Sequence, residues 1–285
     1  MRGRVGFVEK LRAAIARNDS NLCVGLDPTL EALPEGVERS AEGVLAFNRA
    51  IIAATSDLVC AYKPNLAFYE ALGADGWRVL RETIRSVPDG IPVIGDAKRG
   101  DIGSTATAYA AALFDYLGCD ACTANPYLGF EAIAPFVERP GSFAFVLCRT
   151  SNPGASEVQN LTVDGVPLYE RLARLVCAWK RPESCGLVVG ATDPAAARRV
   201  VAAAPGLWLL APGLGAQGGD LEATARALGP SAGMTVWSAS RGITGAGRGS
   251  DYAVQARTAA DRLRLAINAV LLSQTSPSSA GFSHP

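Results

Sequence analysis

Two aspartates flank a lysine in Gly95-Asp96-Ala97-Lys98-Arg99-Gly100-Asp101, directly after the apolar run Ile91-Pro92-Val93-Ile94. On an extended strand Asp96 and Lys98 share a face, with Cα atoms about 6.5–7 Å apart. Lys63, in Tyr62-Lys63-Pro64-Asn65, ends another apolar run, and Asp101 follows the turn at Arg99-Gly100. Together these residues can form an alternating array of Lys63, Asp96, Lys98 and Asp101. Such an array keeps both lysines protonated and leaves no buried charge unpaired. It suits a positioned ammonium that donates a proton. It does not suit Schiff-base chemistry, which needs a neutral lysine. A carboxylate–lysine pair in a surface turn would mean little. However, the chain has only four lysines, and two of them fall at the ends of apolar runs.

Eight short apolar runs recur along the chain, at 22–26, 58–62, 92–95, 121–124, 143–148, 186–190, 207–211 and 235–239. Several are continuously apolar, as expected of parallel strands covered on both faces. Helical patterns fill the gaps. Ser40 precedes one, Asp75 precedes another, and Asp193-Pro194 combines a capping residue with a first-turn proline. Ser250 can cap a last long helix. This alternation predicts an α/β fold, a single-domain (β/α)8 TIM barrel over residues 1–273, with 274–285 as a disordered C-terminal tail. A doubly wound open sheet is the competing arrangement, but Leu26-Asp27-Pro28 after the first strand offers no glycine-rich dinucleotide turn.

Barrel chemistry sits at the C-terminal ends of strands. Those ends carry Asp27, Lys63, Asp96 with Lys98, Asn125, Arg149-Thr150-Ser151-Asn152, Pro212 with the glycine-rich stretch through Gln217, and Ser240-Arg241. Glycines let backbone N–H groups approach phosphate oxygens, and Arg241 can grip two oxygens at once. The last two strand ends therefore predict a phosphate site. Pro153 to Pro167 forms a long loop of the kind that serves as a lid.

Composition excludes several classes. The formal net charge of the 285 residues is zero, which gives no electrostatic footprint for nucleic acid or an acidic membrane. There is no apolar run long enough to span a bilayer and no secretory leader at the N-terminus, so a cytoplasmic protein is expected. The seven cysteines lie mostly in apolar runs and read as buried thiols; Cys119-Asp120-Ala121-Cys122 has no second pair to make a metal site. The single histidine, His284, is next to the last residue, which speaks against a histidine base or triad.

With these residues in view, the chain resembles the orotidine 5′-phosphate decarboxylases, and more narrowly the longer bacterial subgroup called type 2. The resemblance spans roughly residues 20–245. It rests on GDAKRGDIGST at 95–105, Asp27 in GLDP, Lys63 in YKPN, NPYLG at 125–129, TSNPG at 150–154, PGLGAQGGD at 212–220 and SRGI at 240–243. It implies decarboxylation of orotidine 5′-phosphate to uridine 5′-phosphate without cofactor or metal. Asp27 and Lys63 would bind ribose hydroxyls, Asp96 would face the substrate carboxylate, and Lys98 would protonate C6. Asn125 and Pro212 would line the site, and Ser151, or else Thr150, would contact the pyrimidine. Gln217 and Arg241 would bind phosphate, with Ser240 offering its backbone N–H. Asp101, Ile102 and Thr105 would reach across a homodimer interface. Two other readings stay open: a magnesium-dependent sugar-phosphate decarboxylase or aldolase of the same suprafamily, and a non-catalytic nucleotide-phosphate-binding barrel. Lys63 stands where the magnesium enzymes carry an acid.

Overall fold

The computed structural model describes residues 5–214 and 219–275. Gln217 and residues 276–285 therefore lie outside the described residues. Eight parallel strands form the barrel: β1 (Leu22–Leu26), β2 (Ala61–Pro64), β3 (Ile94–Arg99), β4 (Ala121–Ala124), β5 (Phe143–Arg149), β6 (Cys185–Val189), β7 (Trp208–Ala211) and β8 (Thr235–Ala239). They follow one another around the sheet with β1 beside β8, and single bridges Tyr62–Val93 and Asn65–Asp96 join β2 to β3 and close the ring. The expected α/β barrel is the observed fold. The second strand starts three residues later than the apolar run suggested, because Leu58 to Cys60 bring the chain in from the preceding helix.

Period two along the strands divides the core. Cys23, Ala61, Ile94, Ala121, Phe145, Val188, Leu210 and Val236 point inward and form one apolar layer across the barrel. The alternating set, including Val24, Tyr62, Cys122, Val146, Leu187, Leu209 and Trp237, packs outward under the helices. The inner layer is sealed from below by the helix Phe7–Asn18, whose Phe7 ring meets Phe143 and Phe145 at 4.9 and 5.7 Å. This N-terminal plug lies outside the span of the resemblance.

Capping residues fix several helix starts as expected. The Ser40 hydroxyl accepts from Gly43 N–H before Ala41–Thr55, and the Asp193 carboxylate accepts from Ala196 N–H before Pro194–Ala203. The helix after β3 begins at Gly103 and not at Asp101, because Gly103 takes a left-handed φ of 53° that would break a helix running through it. The last helix, Tyr252–Thr275, continues two residues past the expected domain end. The long loop after β5 is partly ordered into the helix Ala155–Gln159 and a two-stranded ribbon, Thr162–Val163 with Val166–Pro167. That ribbon turns at Asp164-Gly165, both at positive φ, which is the Asp-Gly hairpin signal.

Candidate active site

One step up from the sealed layer, four inward positions are polar, Lys63, Asp96, Thr123 and Ser238, and Gly25 stands at the same level on β1. The next step brings Asp27, Asn65, Lys98, Asn125, Arg149 and Ser240 to the barrel mouth. Lys63 and Asp96 are both buried, and Lys63 Nζ donates to Asp96 Oδ2 at 2.6 Å. Lys98 Nζ donates to Asp96 Oδ1, also at 2.6 Å, while half of the Lys98 side chain remains exposed. The Thr123 hydroxyl is the third donor to the carboxylate, reaching Oδ1 at 2.8 Å. One carboxylate is thus clasped by two ammonium groups and a hydroxyl.

The charges settle the protonation states. Burial by itself pushes the Asp96 carboxyl up, but Lys63 and Lys98 outweigh it and hold the group well below the usual carboxylate range. Burial pulls the Lys63 ammonium down, and Asp96 with Asp27 more than reverses this, leaving it above an ordinary lysine. Beneath the array the Cys23 thiol hydrogen-bonds Ser238, and burial pushes its pKa up to about 12, so it is an inert filler.

Gly25 pairs with Lys63 in the sheet, and a Cβ there would lie 2.7 Å from Ser240 Cβ and 3.1 Å from Asp27 Oδ2. The missing side chain allows Asp27, Lys63 and Ser240 to share one corner of the mouth. Asp27 is anchored by Asn65 N–H at 3.2 Å. The Ser240 Oγ is buried there with no hydrogen-bond partner among the described residues. Arg241 follows it, exposed, at the start of the short helix Arg241–Thr244.

The other sequence-predicted residues divide. Pro212 leaves β7, and its carbonyl accepts from Ala191 N–H; Leu214 and Gly219 then pair with each other, and Gln217 between them lies outside the described residues. Ser151 packs against Gly190, where a Cβ would lie 2.8–2.9 Å from the Ser151 backbone and Cβ. Asn125 caps the turn after β4, accepting from Tyr127 N–H. Asp101, by contrast, is not brought to the lysines within one chain: its carboxylate accepts from the following Ile102 N–H, and among the described residues it forms no salt bridge with Lys63 or Lys98. Ile102 and Thr105 are exposed nearby, Ile102 by 52%.

Two residues of this mouth make contacts to which the strand-end reading gave no role. Thr123 is one. Arg149 is the other: its part-buried guanidinium bonds Asp193 at 3.1 Å and the Thr150 carbonyl at 3.1 Å, while Gln159 accepts from Thr150 N–H at 2.9 Å and donates to Thr150 Oγ1 at 2.7 Å. Arg149 thereby ties the end of β5 to the segment after β6, and Gln159 ties the helix of the long loop to Thr150. Counting by twos from Ala121 and Phe145 marks both positions.

The profile described as orotidine 5′-phosphate decarboxylase / HUMPS family matches residues 20–256. The chain belongs to this family. A curated orotidine 5′-phosphate decarboxylase of Herpetosiphon aurantiacus is 54% identical over 256 residues, covering 89% of this chain and 95% of that protein. The solved Leishmania donovani OMP decarboxylase superposes with a TM-score of 0.83 at 41% identity, covering 94% of this chain and 100% of that one. The Leishmania donovani UMP synthase gives a TM-score of 0.86 at 42% identity; 95% of this chain is covered, and it spans only 57% of that longer protein.

The array predicts a pH response. Asp96 titrates below its ordinary value of 3.8 in the folded chain. Its contribution is present above that value and is lost as pH falls toward the depressed one. Lys63 titrates above its ordinary 10.5, so its contribution is present below that value and is lost as pH rises through the folded one. Asp96→Asn strands the buried Lys63 charge and is expected to lower stability by about 3 kcal/mol at neutral pH. In urea unfolding the gap from wild type should be fully present between about pH 5 and 7 and shrink below about pH 4. A gap independent of pH down to acid unfolding would contradict the charged clasp.

Proposed function

We propose that this chain decarboxylates orotidine 5′-phosphate to uridine 5′-phosphate and carbon dioxide, the last step of de novo pyrimidine nucleotide synthesis, with no cofactor. The observation that carries this reading is the Lys63–Asp96–Lys98 clasp at the mouth of a barrel of this family. Loss of carbon dioxide from C6 leaves an electron pair in the plane of the ring, where the π-system delocalises it poorly. A fixed ammonium is the direct stabiliser of such a localised anion. Lys98, half exposed and hydrogen-bonded to Asp96, is suited to this role. As the C6–carboxyl bond breaks, the pair left on C6 takes a proton from Nζ, and the neutral amine regains one from solvent. Asp96, ionised and clasped, would lie against the departing carboxylate. With an ammonium group at each of its oxygens, Asp96 sits among positive charges that repel a divalent cation, which favours this reading over the magnesium-dependent one.

Remote binding completes the assignment. Asp27 and Lys63 would hold the ribose hydroxyls. The orphaned Ser240 Oγ, exposed Arg241, Pro212 and Gln217 would take the phosphate end, and Ser151 the pyrimidine. Asn125 would line the opposite rim. Phosphate contacts far from C6 supply binding energy that can offset the cost of closing the site and placing Asp96 beside the carboxylate. The partner in this reading is a second copy of the chain: Asp101, idle with respect to its own lysines, with exposed Ile102 and Thr105, would complete the neighbouring site of a homodimer. A cytoplasmic enzyme that uses a small nucleotide, and neither nucleic acid nor membrane, fits this reading.

Three outcomes follow from these roles. Lys98→Ala should reduce turnover, followed as loss of orotidylate ultraviolet absorbance, by at least about 10³-fold. It should leave calorimetric binding of uridine 5′-phosphate largely intact; near-wild-type turnover would remove Lys98 as the donor. Arg241→Ala should weaken uridine 5′-phosphate about 10–100-fold and leave uridine unchanged; equal losses would remove Arg241 from the phosphate. Mixing Lys98→Ala with Asp101→Ala chains should restore part of the activity through hybrid dimers. No recovery, once subunit exchange is confirmed, would mean that sites are not shared.

A further inference from the structure

Lys98 is one of three non-glycine residues with a left-handed backbone among the described residues, at φ 49°. A lysine gains nothing locally from that conformation, which costs on the order of 1–2 kcal/mol. The pairing of β3 with β4 is irregular at this point, shifting register between Gly95 and Arg99. The ladder therefore does not supply the partner that the Lys98 amide needs. Thr123 supplies it: its Oγ1 accepts from Lys98 N–H at 3.0 Å and donates its own proton to Asp96 Oδ1 at 2.8 Å. The same Oδ1 receives Lys98 Nζ at 2.6 Å. Lys98 is thus held at both ends by one closed ring of three residues.

We infer that Thr123 is a positioning residue, whose single hydroxyl locks the strained Lys98 peptide to the Asp96 carboxylate and so fixes the direction in which the Lys98 ammonium points. The role rests on the decarboxylase reading, since it acts through Lys98 as proton donor. Half of the Lys98 side chain is exposed, so packing does not fix it. Thr123 itself is only 2% exposed and sits on a rigid strand, and its β-branched side chain has restricted χ1 freedom. A hydroxyl is also the one small group that can accept from an amide and donate to a carboxylate simultaneously. Valine fills the same space and does neither.

The experiment compares Thr123→Val, Thr123→Ala and Thr123→Ser with wild type. In the valine and alanine variants kcat should fall about 10–100-fold, as expected for an amide left unpaired and a carboxylate short of one donor. The affinity for uridine 5′-phosphate should not change, and Thr123→Ser should return kcat to near wild type. Hydrogen exchange at the Lys98 amide should accelerate in valine and alanine and not in serine, a readout independent of turnover. Unchanged kcat in Thr123→Val would overturn the inference. So would a serine variant as impaired as alanine, or parallel losses of thermal stability, ligand affinity and kcat, which would make Thr123 a packing residue. If Thr123→Val does not fold, the alanine–serine comparison decides. A wild-type protein without turnover would instead remove the decarboxylase reading itself.

Discussion

A carboxylate with 7% of its surface exposed, held at 2.6 Å by each of two ammonium groups, is the constraint around which the barrel mouth is arranged. Removing such charges from water is costly, and their mutual attraction compensates only when the geometry is tight and every remaining lone pair is used. Asp96 comes close to that condition, with Lys98 and Thr123 donating to Oδ1 and Lys63 to Oδ2. Little net stability is expected from the cluster. Stability comes from below and around it: the layer sealed by Phe7, Phe143 and Phe145, and the helices packed on the outward faces of the strands. That separation lets the mouth hold a polar, strained arrangement on a rigid base, including a lysine at φ 49°.

Glycines set how closely the parts of the mouth approach. Gly25 admits Ser240 and Asp27 to the space beside Lys63, and Gly190 admits Ser151 against the end of β6. The same short segment after β6 reaches the next loop, because Ala191 N–H bonds the Pro212 carbonyl and the Thr224 hydroxyl bonds the Ala191 carbonyl. Ser151, proposed for the pyrimidine, and Pro212, proposed for the phosphate end, therefore both rest on the segment Gly190-Ala191. Arg149 and Asp193 add a second attachment through Gln159 and Thr150.

Much of this was legible in the chain before folding. The eight apolar runs, the Asp193-Pro194 helix start and the strand-end positions of Lys63, Asp96 and Lys98 follow from local pattern, since period, caps and proline act over a few residues. What stayed hidden was non-local. Thr123 looks like one more small residue in Ala121-Cys122-Thr123-Ala124 until β3 lies beside it with its register slipped. Arg149 reads as a terminal charge until Asp193, forty-four residues on, arrives at 3.1 Å. The plug helix carries no signal of what it plugs.

The sequence alone determined the repeat that makes a barrel and the presence of oppositely charged residues at its strand ends, because side-chain period and local charge order are properties of the chain itself. Only the tertiary structure decided which of those charges meet. It joined Lys63 and Lys98 to the two oxygens of one carboxylate, left Asp101 of the same chain outside that cluster, and brought Thr123 under the Lys98 peptide. Closing a sheet sets distances between residues far apart in sequence to within tenths of an ångström, and no local pattern carries that information.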